Sequence, residues 1–231
     1  MEYNLLMMDS YNKVFGEKQR IMFVFAHPAD AEIYTGGTIS RLVKDGKKVK
    51  LVKMTMGNKG SRGVKISEGE LALLRESEDL EALSVLGLSS GDSVNLDLGD
   101  GTVENSLKTI EKLVKEIRLF KPDILITHNP ETPLIRDLDG YYYVNHRDHR
   151  NTALSVVDAA YPYSNDLLFF PDQLVNGVTG HKVSEFLFVD SWGHQDTVFV
   201  DITDFADQRT KAISTHKSQY TMANSEESTD Y

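Results

Sequence analysis

Ile21-Met22-Phe23-Val24-Phe25-Ala26 is an unbroken apolar run, and His27-Pro28-Ala29-Asp30-Ala31-Glu32 follows it directly. Six apolar residues without alternation are what a strand needs when both faces of its sheet are covered. Polar, metal-competent side chains begin at the residue where that strand ends. Further along, residues 36–43 carry a helical pattern led by Gly36-Gly37 and stopped by Asp45-Gly46. Residues 49–55 read as a second strand, and residues 57–69 as a loop with four glycines.

The same alternation continues. Residues 70–86 show helical spacing and end at Gly87, which suits a left-handed C-terminal cap. A short strand is expected over 93–98, an amphipathic helix over 103–120, a buried strand at Ile124-Leu125-Ile126 and a helix over 150–160. Residues 183–189 and 197–202 read as later strands, and 205–216 as a closing helix. Strands alternating with helices imply an α/β, Rossmann-like fold, its mainly parallel sheet covered by helices on both faces. Residues 1–231 are expected to form one domain, with residues 1–20 as an N-terminal extension and 221–231 as a polar tail.

Composition narrows the function. The formal net charge is -10, which argues against general nucleic-acid binding because phosphate neutralisation wants a basic face. With no cysteine, any metal must be held by His, Asp or Glu. No run approaches the roughly 20 apolar residues of a membrane span, and the N-terminus lacks the pattern of a signal peptide. A cytoplasmic protein acting on a small molecule is the expectation, and a homo-oligomer is compatible with it.

In parallel sheets ligands bind beyond the carboxyl ends of the strands. His27 and His128 each follow a strand, and the loop 129–149 is long enough to suggest function. His27 and Asp30, three residues apart on a turn, are good zinc ligands by type. The plainer alternative is that Asp30 caps a helix and His27 bonds a loop. Asn145-His146-Arg147-Asp148-His149-Arg150 offers one more ligand, which would complete a three-ligand site with an open position. Its plainer alternative is a charged loop with Asp148 as a helix cap. Two histidines and a carboxylate also fit a non-haem iron oxygenase, although the strand–helix alternation speaks against that class.

These segments resemble the LmbE-like, or PIG-L-like, zinc-dependent de-N-acetylases. His27 to Ile33 with Gly36-Gly37-Thr38-Ile39 resembles the opening motif of that family, and His146 to Arg150 its second. Gly57 to Ser61, Arg75 to Glu78 before Leu86-Gly87, Lys121-Pro122-Asp123 and His216-Lys217-Ser218-Gln219 follow in the family's order. The resemblance implies metal-dependent removal of acetyl from an N-acetylated amino sugar or its conjugate. It implies Zn2+, or another divalent ion such as Fe2+, on His27, Asp30 and His149. It makes His146 the residue that stabilises the oxyanion or assists the leaving amine, with Asp148 orienting it. Arg75 matches a position that can contact the far end of the substrate, with an exposed helix arginine paired to a glutamate as the plainer alternative, and His128 is read either as lining the pocket or as structural.

One position departs from the pattern. Where the family carries the aspartate that takes a proton from the metal-bound water, this chain has Ala29. Three readings follow: an impaired deacetylase, a metal-dependent sugar-binding protein without turnover, or a site in which Glu32 or Asp97 substitutes. Tyr141-Tyr142-Tyr143 is read either as a sugar-stacking wall or, more simply, as a loop anchored by aromatic packing.

Overall fold

The computed structural model describes residues 9–192 and 194–220. The polar tail expected over 221–231 lies outside them, as do the first eight residues of the expected extension. β1 (Arg20–Phe25), β2 (Lys48–Thr55), β3 (Ser93–Leu98), β4 (Ile124–Thr127) and β7 (Glu185–Phe188) form one parallel sheet in the order β3-β2-β1-β4-β7. β1 is central, with Ile21 in register with both Val49 and Ile124.

The apolar run of β1 is explained by two cores. Ile21, Phe23 and Phe25 point to one face, where Ile39 and Leu42 of α2 (Asp30–Lys44), Leu83 of α3 (Glu68–Val85) and Ala212 of α6 (Ala206–Thr215) cover them. Met22 and Val24 point to the other, beneath Ile110, Leu113, Val114 and Ile117 of α4 (Leu107–Phe120) and Val156 of α5 (Arg147–Asp158). Each fully buried large side chain is worth roughly 1.5–3 kcal/mol, so β1 alone anchors both layers. Helices therefore cover both faces of the sheet, as the sequence implied.

Local signals set the helix ends. Ser67 and Glu70 form a reciprocal capping box at the start of α3, and Gly87 follows its end at φ +81°. The Ser106 hydroxyl accepts from the Thr109 amide at the start of α4. The Gly36-Gly37 pair does not open α2, which already begins at Asp30. A Cβ on Gly37 would stand 2.6 Å from Cδ1 of Ile202, so this glycine permits a close crossing by another segment.

Two expectations need correction. Residues 197–202 form no strand: Phe199 O accepts from the Ser10 amide, and Ile202 packs on Gly37, so the segment leaves the sheet and runs across α2. The loop 129–149 is not wholly irregular either. It contains an antiparallel hairpin, β5 (Leu134–Arg136) with β6 (Tyr142–Val144). A five-residue helix, α1 (Tyr11–Phe15), occupies part of the expected extension, and Tyr11 and Phe15 join the core. Among the described residues, no helix is long and apolar enough to cross a membrane.

Candidate metal centre

The order β3-β2-β1-β4-β7 reverses direction between β1 and β4, which leaves a crevice at their carboxyl ends. His27 and His128 emerge there side by side. The turn from β1 into α2 is tight: Ala29 is buried at φ +83°, and the Asp30 carboxylate accepts from the His27 amide at 2.8 Å. That bond folds Asp30 back against the ring of His27. α5 brings the third element, with His146 at its N-cap and His149 one turn in.

Imidazole nitrogens and carboxylate oxygens cluster here: donor atoms of Asp30, His128 and His149 lie within 4.8 Å of one another, as do those of His27, His146 and His149. Asp30 Oδ2 lies 3.4 Å from His27 Nδ1 and 3.5 Å from His149 Nε2. Ligands about 2.0–2.1 Å from a tetrahedral ion stand roughly 3.3–3.4 Å apart, so each of these two separations suits a pair of ligands on one small cation. A surplus of carboxylates surrounds His27. Burial works against a charged His27, but the carboxylates of Asp100, Asp148 and Asp30 outweigh it and push its pKa up to about 11. Burial also disfavours ionised Asp30, yet His149, His128 and His27 hold its carboxyl well below the ordinary range. Burial holds His149 well below the usual histidine range, although Asp30 opposes this, and so keeps its lone pair available. The nitrogen–oxygen donor set and its spacing fit a zinc-type ion.

The remaining site residues stand differently from the expectation. Asp148 does not hold the ring of His146. Its carboxylate accepts from the amides of Gly101 at 2.6 Å and Val103 at 3.1 Å, and faces His27 Nε2 at 3.3 Å. The physical reason is α5 itself: His146 is the N-cap, so the Asp148 amide donates to His146 Nδ1 at 3.1 Å while its side chain turns inward. His146 stays beside the centre, its ring centroid 5.0 Å from that of His27 and 5.3 Å from that of His149.

Arg75 does not face solvent. It is buried and donates to the carbonyl oxygens of Gly57 and Gly60, holding the glycine loop after β2. His128 is fully buried, so it supports the centre from beneath instead of lining a pocket. Its Nε2 accepts from the Ala26 amide at 3.1 Å and lies 3.4 Å from Asp30 Oδ2, and its ring stacks on His149 at 3.8 Å. Tyr143 anchors the hairpin by donating to Asp190 Oδ1 at 2.9 Å, while Tyr141 and Tyr142 are exposed.

Asp100 is the participant that sequence reasoning missed. It follows β3 at the same sheet edge, accepts from the Lys59 amide at 2.6 Å and approaches His27 Nε2 at 3.3 Å. The strand-end rule that selected His27 and His128 applies equally to Gly99-Asp100-Gly101, and was the available signal. Of the candidate substitute bases, Glu32 is fully buried in the first turn of α2, facing His216, and Asp97 is exposed on β3 at φ +49°.

Comparisons with known proteins agree with this picture. The family described as GlcNAc-PI de-N-acetylase (PIG-L) matches residues 22–160. The diacetylchitobiose deacetylase of Thermococcus kodakarensis is 28% identical over 209 residues, covering 90% of this chain and 73% of the relative. The 1D-myo-inositol 2-acetamido-2-deoxy-alpha-D-glucopyranoside deacetylase of Rhodococcus erythropolis is 25% identical, covering 89% of this chain and 82% of the relative. Among solved structures, the N,N'-diacetylchitobiose deacetylase from Pyrococcus horikoshii, complexed with its inhibitor MPG, is similar with a TM-score of 0.79 at 28% identity. That similarity covers 93% of this chain and 75% of the other.

Proposed function

The chain belongs to the GlcNAc-PI de-N-acetylase (PIG-L) family of hydrolytic de-N-acetylases, and on that premise we propose that it acts on the N-acetyl group of an N-acetylglucosamine-type sugar or conjugate. We propose further that it depends on a divalent metal, zinc by donor type, and that Ala29 impairs its turnover. The observation that carries the reading is Asp30 Oδ2 standing within 3.5 Å of both His27 Nδ1 and His149 Nε2 at the sheet's switch point. A divalent ion held there supplies a polarised acyl oxygen and a water acidic enough to attack near neutral pH.

The chain's own residues supply the rest. The hydrogen bond of the Asp148 amide to His146 Nδ1 makes that nitrogen the acceptor, so Nε2 carries the ring proton and can donate to the acyl oxygen or the leaving amine. Asp148 and Asp100, facing His27 Nε2, keep the proton on that nitrogen and leave Nδ1 for the metal. They stand on the opposite edge of the ring from Asp30, which makes both poor substitutes for a base acting on a metal-bound water. Glu32 is equally unsuited, buried on the far side of the turn. By the family resemblance the base belongs at the position of Ala29, and alanine accepts no proton.

The test is Ala29→Asp. Aspartate tolerates a left-handed backbone better than alanine does, so the fold is expected to survive. General-base catalysis is worth on the order of 10²–10⁴-fold, expected in kcat with metal content unchanged. The assay is amine release from N-acetylglucosamine and several conjugates with zinc present. A variant as inactive as its parent, on sugars that the parent binds, would favour the metal-dependent sugar-binding protein.

A further inference from the structure

The first turn of α2 carries two acidic side chains that face opposite ways. Asp30 turns to the metal centre, whereas Glu32 turns under the helix and is fully buried. Neither carboxylate oxygen of Glu32 has a hydrogen-bond partner. The same is true of both ring nitrogens of His216, also fully buried at the end of α6. The two face each other, Glu32 Oε2 standing 3.7 Å from His216 Nε2. Asp79 belongs to the same cluster, and its two oxygens lie 2.6 Å and 2.7 Å from Lys53 Nζ. Glu32 and His216 thus face each other beside the Lys53–Asp79 ion pair, neither with a hydrogen bond of its own.

His216 opens a turn that touches the metal loop. Its carbonyl accepts from the amides of Gln219 and Tyr220, and Gln219 Nε2 donates to Pro28 O at 3.3 Å. Ser218 donates to the Glu78 carboxylate through both its amide and its hydroxyl, at 2.7 Å each, which fastens the turn to α3. The turn thus has anchors on α3 and on the metal loop. A third anchor on α2 would lie two residues from Asp30.

We propose that Glu32 and His216 form a buried positioning pair that holds the first turn of α2, and with it Asp30, in the geometry that binds metal. This rests on the reading of His27, Asp30 and His149 as metal ligands. Removing either member leaves the other buried without a counterpart and free to pull the turn aside.

The experiment is a double-mutant cycle of Glu32→Gln, His216→Gln and the pair together, with metal affinity read from Co2+ titration by visible absorption and stability by thermal unfolding. Glu32→Gln keeps the side-chain shape, so the test survives a misfolded histidine variant. Outer groups that orient ligands are worth roughly 10–100-fold in metal affinity. Each single variant is expected to lose that much and to shift the Co2+ bands, and the double variant to be no worse than the weaker single. Leu113→Ala, in the core beneath α4, is the control: it is expected to unfold at lower temperature and bind Co2+ as the parent does. Variants that bind within twofold of the parent while unfolding earlier would make the pair a mere scaffold and overturn the proposal. A second equivalent of metal, lost on Glu32→Gln, would overturn it too, by making the cluster a metal site. A parent that takes up no Co2+ would overturn the metal reading itself.

Discussion

Asp148 is one carboxylate with three partners: the amides of Gly101 and Val103, and the Nε2 edge of His27. It ties the loop after β3 to a histidine at the end of β1, and fixes which nitrogen of that histidine faces Asp30. Asp148→Asn keeps the shape but presents an amide where an acceptor is needed. Metal affinity is expected to fall about 10–100-fold, measured by competition with a chromophoric chelator; an unchanged affinity would remove Asp148 from the site. The pH dependence has a definite sign. Burial raises the Asp148 carboxyl, but His27 and the two amides outweigh it and hold its pKa below the ordinary 3.8. A carboxyl lowered in the folded state contributes stability that is present above its unfolded value and lost as the pH falls through the folded one. The stability gap between parent and Asp148→Asn should therefore be full at neutral pH and narrow as the pH drops below 3.8.

At the scale of elements, Arg75 joins the loop after β2 to α3. Its guanidinium satisfies the Gly57 and Gly60 carbonyls, and a Cβ at Gly57, where φ is +65°, would stand 2.8 Å from Nη1. Hydrogen bonds to a charged group are worth about 1.5–3 kcal/mol each, so Arg75→Met should lower the opening cost of residues 57–66 by about 3 kcal/mol. Amide exchange there would then quicken about 100-fold while the sheet stays protected. Exchange unchanged in that loop would show that Arg75 does not hold it. The contrast between what could and could not be read from sequence is clearest here. β1 and β4 were legible because strands covered on both faces must be apolar throughout, and α3 because Ser67, Glu70 and Gly87 mark its ends. Residues 197–202 have strand-like composition, but composition does not supply a neighbour to pair with. The proximity of His27, Asp30 and His149 could be expected from strand ends and ligand chemistry. The targets of Arg75 and Asp148 could not, because contacts 15 to 47 residues apart depend on how finished elements are set against one another.

At the scale of the molecule, the proposed metal centre sits on the fold without being its core. Two apolar clusters flank the sheet, and the donor atoms stand only at its carboxyl edge. Chelation should therefore leave secondary structure intact, unlike in small domains whose folding depends on their metal. Its effect should be a shift in stability through mass action. A ligand that binds only the folded state at about 100 times its Kd adds about 2.7 kcal/mol. For a chain of this length 1 kcal/mol moves the midpoint by about 2–4 °C. Saturating zinc is thus expected to raise Tm by roughly 5–11 °C over the chelated protein, with far-ultraviolet circular dichroism unchanged below the transition. His149→Ala, which removes one of three donors from a helix that is already capped by His146, should lose that increment and keep the circular dichroism of the parent. If zinc raised Tm equally in His149→Ala, the ion would be held elsewhere. If chelation melted the sheet, the two apolar clusters would not be the independent scaffold that their burial implies.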